Sequence, residues 1–415
     1  MAVKITRQPD KIALLGAPTS AAALSRGHER APAALRAAGL VERLRSVGYE
    51  VIDHGDDPVQ LSEADSDSPR ARNLPRIVKS LEALRPRVEA AVKSGALPII
   101  LTGDCTSAVA TVAGVRRYFH NVSMIYLDRD ADVNIPATTP SGCVDGMVVA
   151  HLTGRGAAEL VRFWGEPPLV RDPDIALFGV ERLDPPEEDL LRRVPIRSFH
   201  ASEVHQKGAA ATARVALERV HASRNEFILH LDVDVIADFQ ATNFPGGSGL
   251  TFDEVREALE VFVADKHLAA IDVAAYNPEK DPDGSGAKLV IELLTTVLAS
   301  RRQAHAAPAP EAASAAAASA ASGAEAKPTS EAASPVPAVA AGEAWSSDAL
   351  DEAAVTSDAP EEASGAESAD DSTAAFDVPQ ETTQESIQEN QEASAAKVLE
   401  EPAARNPGES EEHSS

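Results

Sequence analysis

The sequence predicts an α/β fold built on a parallel sheet with helices on both faces, and three observations predict it. Short apolar or β-branched runs recur through the first 300 residues, longer segments of helical spacing lie between them, and most runs are apolar along nearly their whole length. Near-continuous apolarity means that both faces of a strand are covered, the condition of a parallel sheet in an α/β fold.

Eight strand candidates follow in order. KIALLGAP (11–18) opens the series, and APAALRAAGLVERLRSVG follows it with helical spacing, punctuated by Gly39 and Gly48 as stop signals. YEVIDHGD (49–56) comes next, then the helical pattern RIVKSLEALRPRVEAAVKSG, which ends on Gly95. LPIILTGD (97–104), VSMIYLDRD (122–130), DIALFGVE (174–181), VPIRSFHA (194–201) and EFILHLDVDV (226–235) continue the pattern. The helical TFDEVREALEVFVADK precedes the last candidate, LAAIDVAAYNP (268–278).

The folded part is expected to be residues 1–302. From 303 to 415 the chain is rich in Ala, Ser, Glu and Pro, holds only Trp345 and Phe376 as aromatics, and shows neither helical nor strand periodicity. Such a segment buries too little apolar surface to offset the entropy of ordering, so a disordered acidic tail is expected. The tail carries 3 Lys/Arg against 23 Asp/Glu, a net charge of −20, which leaves −7 of the total −27 for residues 1–302. A chain acidic in both parts is poorly suited to nucleic acid or anionic membrane, both of which attract positive charge. The tail reads as a solvating extension or as a lure for a basic partner.

Two cysteines in 415 residues make no disulfide framework, and MAVKITRQPDK lacks the apolar stretch of a signal peptide. No run of 18 apolar residues occurs, so no membrane-spanning helix is expected and a cytoplasmic location is the default.

In parallel sheets the chemistry lies beyond the carboxyl ends of the strands, and the carboxylates of this sequence are concentrated there. LDRDAD ends one strand, LDVDV a second and YNPEKD a third. Side chains two apart on extended backbone share a face, so Asp128 and Asp130 should project together, with Asp132 if extension persists, and so should Asp232 and Asp234. Five carboxylates converging on one rim repel unless compensated, and hard divalent cations are the usual compensation. The plainer reading of either cluster alone is a set of solvated aspartates capping strand ends.

The order of motifs over about residues 11–300 resembles the arginase/agmatinase (ureohydrolase) family. IALLGAPTS with GHERAPAALRAAGLVERL resembles its first strand and helix, LTGDCTSAVATVAGV its Gly-Gly-Asp-His-Ser segment, YLDRDADVN its Asp-Ala-His-x-Asp segment, and PSGCVDGM its Ser-Gly-Asn-x-His-Gly loop. GVERLDPPE resembles the loop that meets a substrate amino group, LHLDVDV the second Asp-x-Asp pair, and AAYNPEKDPDGSGAKLVIELL the closing strand and helix. Several such motifs in the same order carry far more weight than any one. The resemblance implies a three-layer α/β/α sandwich with an eight-stranded, mainly parallel sheet. It also implies two divalent ions, Mn²⁺ first, bridged by a hydroxide that attacks a guanidinium carbon and releases urea.

Carried over by position, Asp128, Asp132, Asp232 and Asp234 match the four carboxylate ligands. Cys105 and Asp130 stand where the two histidine ligands belong, and the thiol would open the site to Fe or Zn. Asp145 replaces the proton-shuttling histidine, and Ala275 the glutamate that pairs with the guanidinium. Asn134, Thr139 and Ser141 match the loop that holds a substrate carboxylate, with Cys143 in place of an Asn. Asp184 and Glu187 match the carboxylates that meet an α-amino group, and also read as capping residues of the helix starting at DPPEED.

His230 lies two residues before Asp232, so it should share the face of the metal aspartates one residue pair deeper, either as a catalytic, proton-handling group behind the ligands or as a buried core histidine. His54 and His151 read as structural. The expected partners are a small guanidino substrate and further copies of the chain, as the trimers or hexamers common in the family. The enzyme reading stands beside another: a catalytically silent arginase-fold protein serving as a binding or assembly subunit.

Overall fold

A computed structural model of the chain describes residues 5–306 apart from Arg224. The expected disordered tail lies outside the described residues, except for 303–306. Those four continue the last helix, Ser285–Ala306, beyond the expected boundary at 302.

All eight expected strands form, each within or almost within its anticipated limits: β1 Lys11–Ala17, β2 Glu50–Asp56, β3 Leu97–Thr102, β4 Val122–Leu127, β5 Ile175–Val180, β6 Arg197–His200, β7 Glu226–Asp232 and β8 Leu268–Ala274. They make one sheet in the order β2-β1-β3-β8-β7-β4-β5-β6, and every neighbouring pair is parallel. β3, β4, β5 and β8 are buried at every residue, which explains their unbroken apolarity. The edge strand β2 exposes Glu50, Asp53, His54 and Asp56, charges and polarity that discourage pairing with another chain.

Right-handed crossovers decide where the helices go. The chain runs from β2 towards β6, then returns through β7 and β8, so helices on the outward and return paths cover opposite faces. Leu74–Ser94 packs on Ser107–Arg116 in one layer, and Phe252–Ala264 packs on Ala209–His221 and Ser285–Ala306 in the other. The result is the three-layer α/β/α sandwich.

Local signals end and start these helices as the sequence indicates. Gly39, in a left-handed conformation, divides the first helical segment into Ala31–Ala37 and Leu40–Ser46, and Gly95 caps the end of Leu74–Ser94 in the same conformation. Thr251 and Glu254 exchange hydrogen bonds as a capping box at the start of Phe252–Ala264.

The crossover also places the site. β3 and β4 are consecutive in the chain but separated in the sheet by β8 and β7, which return to fill the gap. Chain segments leaving β3, β4, β5 and β7 therefore emerge around one crevice. Gly103, in the turn after β3, passes so close to Thr19 that a Cβ there would lie 1.7 Å from the Thr19 carbonyl oxygen. Gly103→Ala is expected to cost about 2 kcal/mol or more of stability, read as a lowered denaturant midpoint; an unchanged midpoint would show the turn to be looser than this.

Candidate metal centre

Each site residue is delivered by a turn that begins where its strand stops. β4 ends at Leu127 and β7 at Asp232, so the Asp-x-Asp pairs converge through tight turns rather than along extended strands. Asp128 accepts a hydrogen bond from the Asp130 backbone N–H (2.7 Å), and Asp232 accepts one from the Asp234 N–H (2.7 Å), inside the turn Val233–Val235. Asp132 takes a left-handed backbone (φ 53°), which swings it back over the crevice, where the Tyr126 hydroxyl donates to it. Extension does not persist to Asp132, yet the turn brings it to the same place.

The four carried-over carboxylates are buried and close together. Cys105, Asp128 and Asp132 offer ligand atoms within 4.8 Å of one another, as do Asp128, Asp232 and Asp234, so the two groupings share Asp128. Burial, reinforced by repulsion among the carboxylates, raises the pKa of Asp128, Asp132 and Asp232 well above the ordinary carboxyl range. Asp234 is pushed up only to about 6, because Arg182 and Arg129 oppose burial and the Asp130 charge. Its Oδ1 is buried and has no hydrogen-bond partner among the described residues. Oxygen donors held in shared groupings, with one orphaned oxygen among them, fit a divalent cation.

Two expected ligands behave differently. Asp130 belongs to neither grouping: it is about one-third exposed (34%) and paired with Arg182, whose Nε donates to Oδ1 at 2.8 Å and whose Nη2 donates to Oδ2. Asp130 lines the same cavity as Asp128 but is held by Arg182 of the β5 loop instead of being gathered with the other candidate ligands. Cys105 does sit in a grouping, but as a thiol. Burial and the charges of Asp145, Asp232, Asp128 and Asp132 push its pKa far up, and its Sγ donates to Asp232 Oδ2 at 3.1 Å. Binding a cation through sulfur would therefore require the thiol to give up its proton.

A cavity of about 340 Å³ opens above the groupings. Its lining includes every expected site residue except His230. Asp145 accepts from the Cys105 backbone N–H at 2.7 Å, and burial with the nearby Asp104 charge raises its carboxyl to about 8. Thr139 and Ser141 accept backbone N–H bonds from Gly142 (3.0 Å) and Cys143 (3.1 Å), and their hydroxyls lie 3.5 Å apart, so that one donates to the other while the second proton is available for a ligand anion. Asn134 Nδ2 donates to Asp184 Oδ2 at 2.9 Å. Asp184 and Glu187 form the capping box of the helix Pro185–Leu191, and Glu187 also accepts from the Val133 N–H (3.1 Å), so the capping role is present in full while both residues line the cavity. Burial holds Glu187 at about 7. Ala275 lies buried just past β8 with φ 67° and presents only a methyl group.

His230 is completely buried beneath this layer. It stacks on Tyr126 (centroids 4.3 Å apart), and its Nδ1 lies 3.8 Å from Asp272 Oδ2. It faces the same side of β7 as Asp232, one residue pair deeper as the sequence indicates, does not line the cavity, and stacks on the tyrosine whose hydroxyl donates to Asp132. His151 is structural, its Nε2 accepting from the Ala157 N–H at 3.2 Å.

Sequence reasoning passed over Arg129 and Arg182. Arg129 is almost fully buried, donates to the Phe244 and Ser248 carbonyl oxygens, and brings Nη2 to 3.7 Å from Asp234 Oδ2. Arg182 Nη2 donates to the same Asp234 oxygen at 3.3 Å. The signal was present: each arginine sits inside a quoted motif, LDRDAD and GVERLD, at a strand end.

The profile of the arginase family matches residues 10–299. The chain is 29% identical over 294 residues to an arginase of Brevibacillus brevis, covering 70% of this chain and 98% of the relative. It is 28% identical to an arginase of Bacillus caldovelox over the same length and shares. The native structure of the Bacillus caldovelox arginase superposes with a TM-score of 0.66, covering 70% of this chain and 98% of that one.

The carboxyl shifts predict a pH dependence with a definite sign. Groups raised in the folded state, such as Asp145 at about 8, hold protons that the unfolded chain has released. Stability of the chelator-treated protein should therefore fall as pH rises from 7 to 8, by on the order of 1 kcal/mol per pH unit for each such proton. The lowered His28 and His151, at about 4, act mainly below pH 6.5 and leave this window clear. If the ionised carboxylates hold Mn²⁺, excess Mn²⁺ should flatten or reverse the slope; a flat melting temperature between pH 7 and 8 in chelator would rule out protonated site carboxyls.

Proposed function

The chain belongs to the arginase family, and from that premise we propose that it is a metal-dependent hydrolase of a C–N bond in a guanidino or amidino compound. An arginine- or agmatine-like substrate would release urea. The observation that carries the reading is the burial of Asp128, Asp132, Asp232 and Asp234 in two groupings that share Asp128 at the floor of a cavity. Four carboxylates held this close are costly to the fold unless positive charge joins them.

Asp128, Asp132, Asp232 and Asp234 would hold the ions, with Cys105 at the edge of the donor set. The oxygen-rich set favours Mn²⁺, and Fe or Zn would be drawn chiefly by the sulfur. A divalent ion bound there supplies a nucleophilic water at neutral pH and polarises the amidine carbon.

The chain's own groups do the rest. Asp145, with its carboxyl raised to about 8, carries a proton at neutral pH beside the Cys105 backbone and can pass it to a departing nitrogen. The Thr139 and Ser141 pair offers a hydroxyl proton to a substrate carboxylate, and Asp184 at the rim suits an α-ammonium. A substrate with an amino-acid head fits this lining.

A second reading, a silent binding or assembly subunit, draws on two observations: Ala275 puts a methyl group where a carboxylate would pair with a guanidinium, and Arg182 already engages Asp130. Metal content separates the readings. The full chain, expressed with Mn, Fe and Zn available, should carry at least one equivalent by elemental analysis, and the Asp128→Ala/Asp132→Ala variant, which removes the aspartate common to both groupings, should lose it. Urea release from a panel of guanidino compounds should fall at least about 10²-fold in that variant. A folded, metal-free wild type without turnover would give the silent reading the advantage.

A further inference from the structure

The half of the centre built on Asp234 already contains positive charge. The loops after β4 and β5 are clasped by backbone hydrogen bonds, the Glu181 and Arg182 N–H groups both donating to the Arg129 carbonyl oxygen (2.8 and 3.0 Å). This clasp sets two guanidinium groups on one side of the crevice. Arg129 is held from behind by the carbonyl oxygens of Phe244 and Ser248, and Arg182 lies over the Phe244 ring, 5.6 Å from its centroid. Both reach Asp234 Oδ2, and Arg182 also takes both oxygens of Asp130. The other Asp234 oxygen is buried without a hydrogen-bond partner among the described residues, and Asp234 shares a grouping with Asp128 and Asp232. No basic side chain forms an ion pair with Asp128, Asp132 or Asp232 among the described residues.

We propose that Arg182, backed by Arg129, stands in for one of the two cations, so that the centre binds a single divalent ion tightly, on the side of Cys105, Asp128 and Asp132. The proposal rests on the metal-centre reading above and narrows it. Coulomb repulsion acts against a second ion placed on Asp128, Asp232 and Asp234, since two fixed positive charges already share the outer oxygen of Asp234. Arg182 is partly exposed (39%) and reaches in from a loop, so it can be replaced without opening the core. Arg129 is part of the packing and supplies charge from beneath.

The test counts ions rather than turnover. The full chain is dialysed to equilibrium against Mn²⁺ and its content measured by elemental analysis, with binding constants from calorimetric titration of Mn²⁺ alone. Wild type and Arg182→Lys, which keeps the charge, should hold one equivalent. Arg182→Gln should hold two, the second binding about tenfold or more tighter than any second ion in wild type. Two equivalents in wild type would overturn the proposal and leave the hydrolase reading intact. One equivalent in both wild type and a folded Arg182→Gln would also overturn it. No bound ion in any of them would overturn both readings together.

Discussion

Everything in this molecule that bears on chemistry depends on the cost of burying carboxylates side by side. Asp128, Asp132, Asp232 and Asp234 are nearly inaccessible to water, and Asp145 and Asp104 lie just behind them. In such a place a carboxyl either keeps its proton or finds a positive partner. The raised pKa of Asp128, Asp132 and Asp232 expresses the first solution, and the smaller rise at Asp234, beside two arginines, expresses the second.

The sheet makes this crowding unavoidable. Because β7 and β8 fill the gap between β3 and β4, turns from distant parts of the chain end within a few ångströms of one another. Neither cluster would be demanding alone, since strand ends capped by aspartate are ordinarily solvated. Convergence under a cavity rim removes the water, and the need for cationic charge follows from geometry. The same convergence keeps the Cys105 thiol protonated and makes it a donor to Asp232.

Family membership and local departures from the family pattern then act at different levels. The scaffold is the family's, and the four candidate ligand carboxylates and the hydroxyl-bearing loop lie together on its one cavity. The departures that the resemblance implies fall on groups that would tune charge, a thiol and Asp130 standing where imidazoles are expected, and Arg129 and Arg182 lie in the motifs on either side. A centre with built-in guanidinium groups differs in its demand for metal from one that relies wholly on bound ions.

The eight strands, their parallel arrangement and most helix limits were legible in the sequence, because apolar runs and glycine stops are local signals. The aspartates at the strand ends, and Asn134, Thr139, Ser141, Asp145, Asp184 and Glu187, were legible from motif order. Arg182 was not, since its importance comes from Asp130 and Asp234, 52 residues away on either side. The pairing of Asp130 with Arg182 was hidden for the same reason: alternation along a strand tells which face a side chain takes, but not which partner a neighbouring loop brings to it. The sequence by itself determined which residues would meet, through hydrophobic periodicity and the order of motifs. Only the tertiary structure decided which of those charges face the cavity and which neutralise one another, because pairing depends on distances between turns that no local pattern encodes.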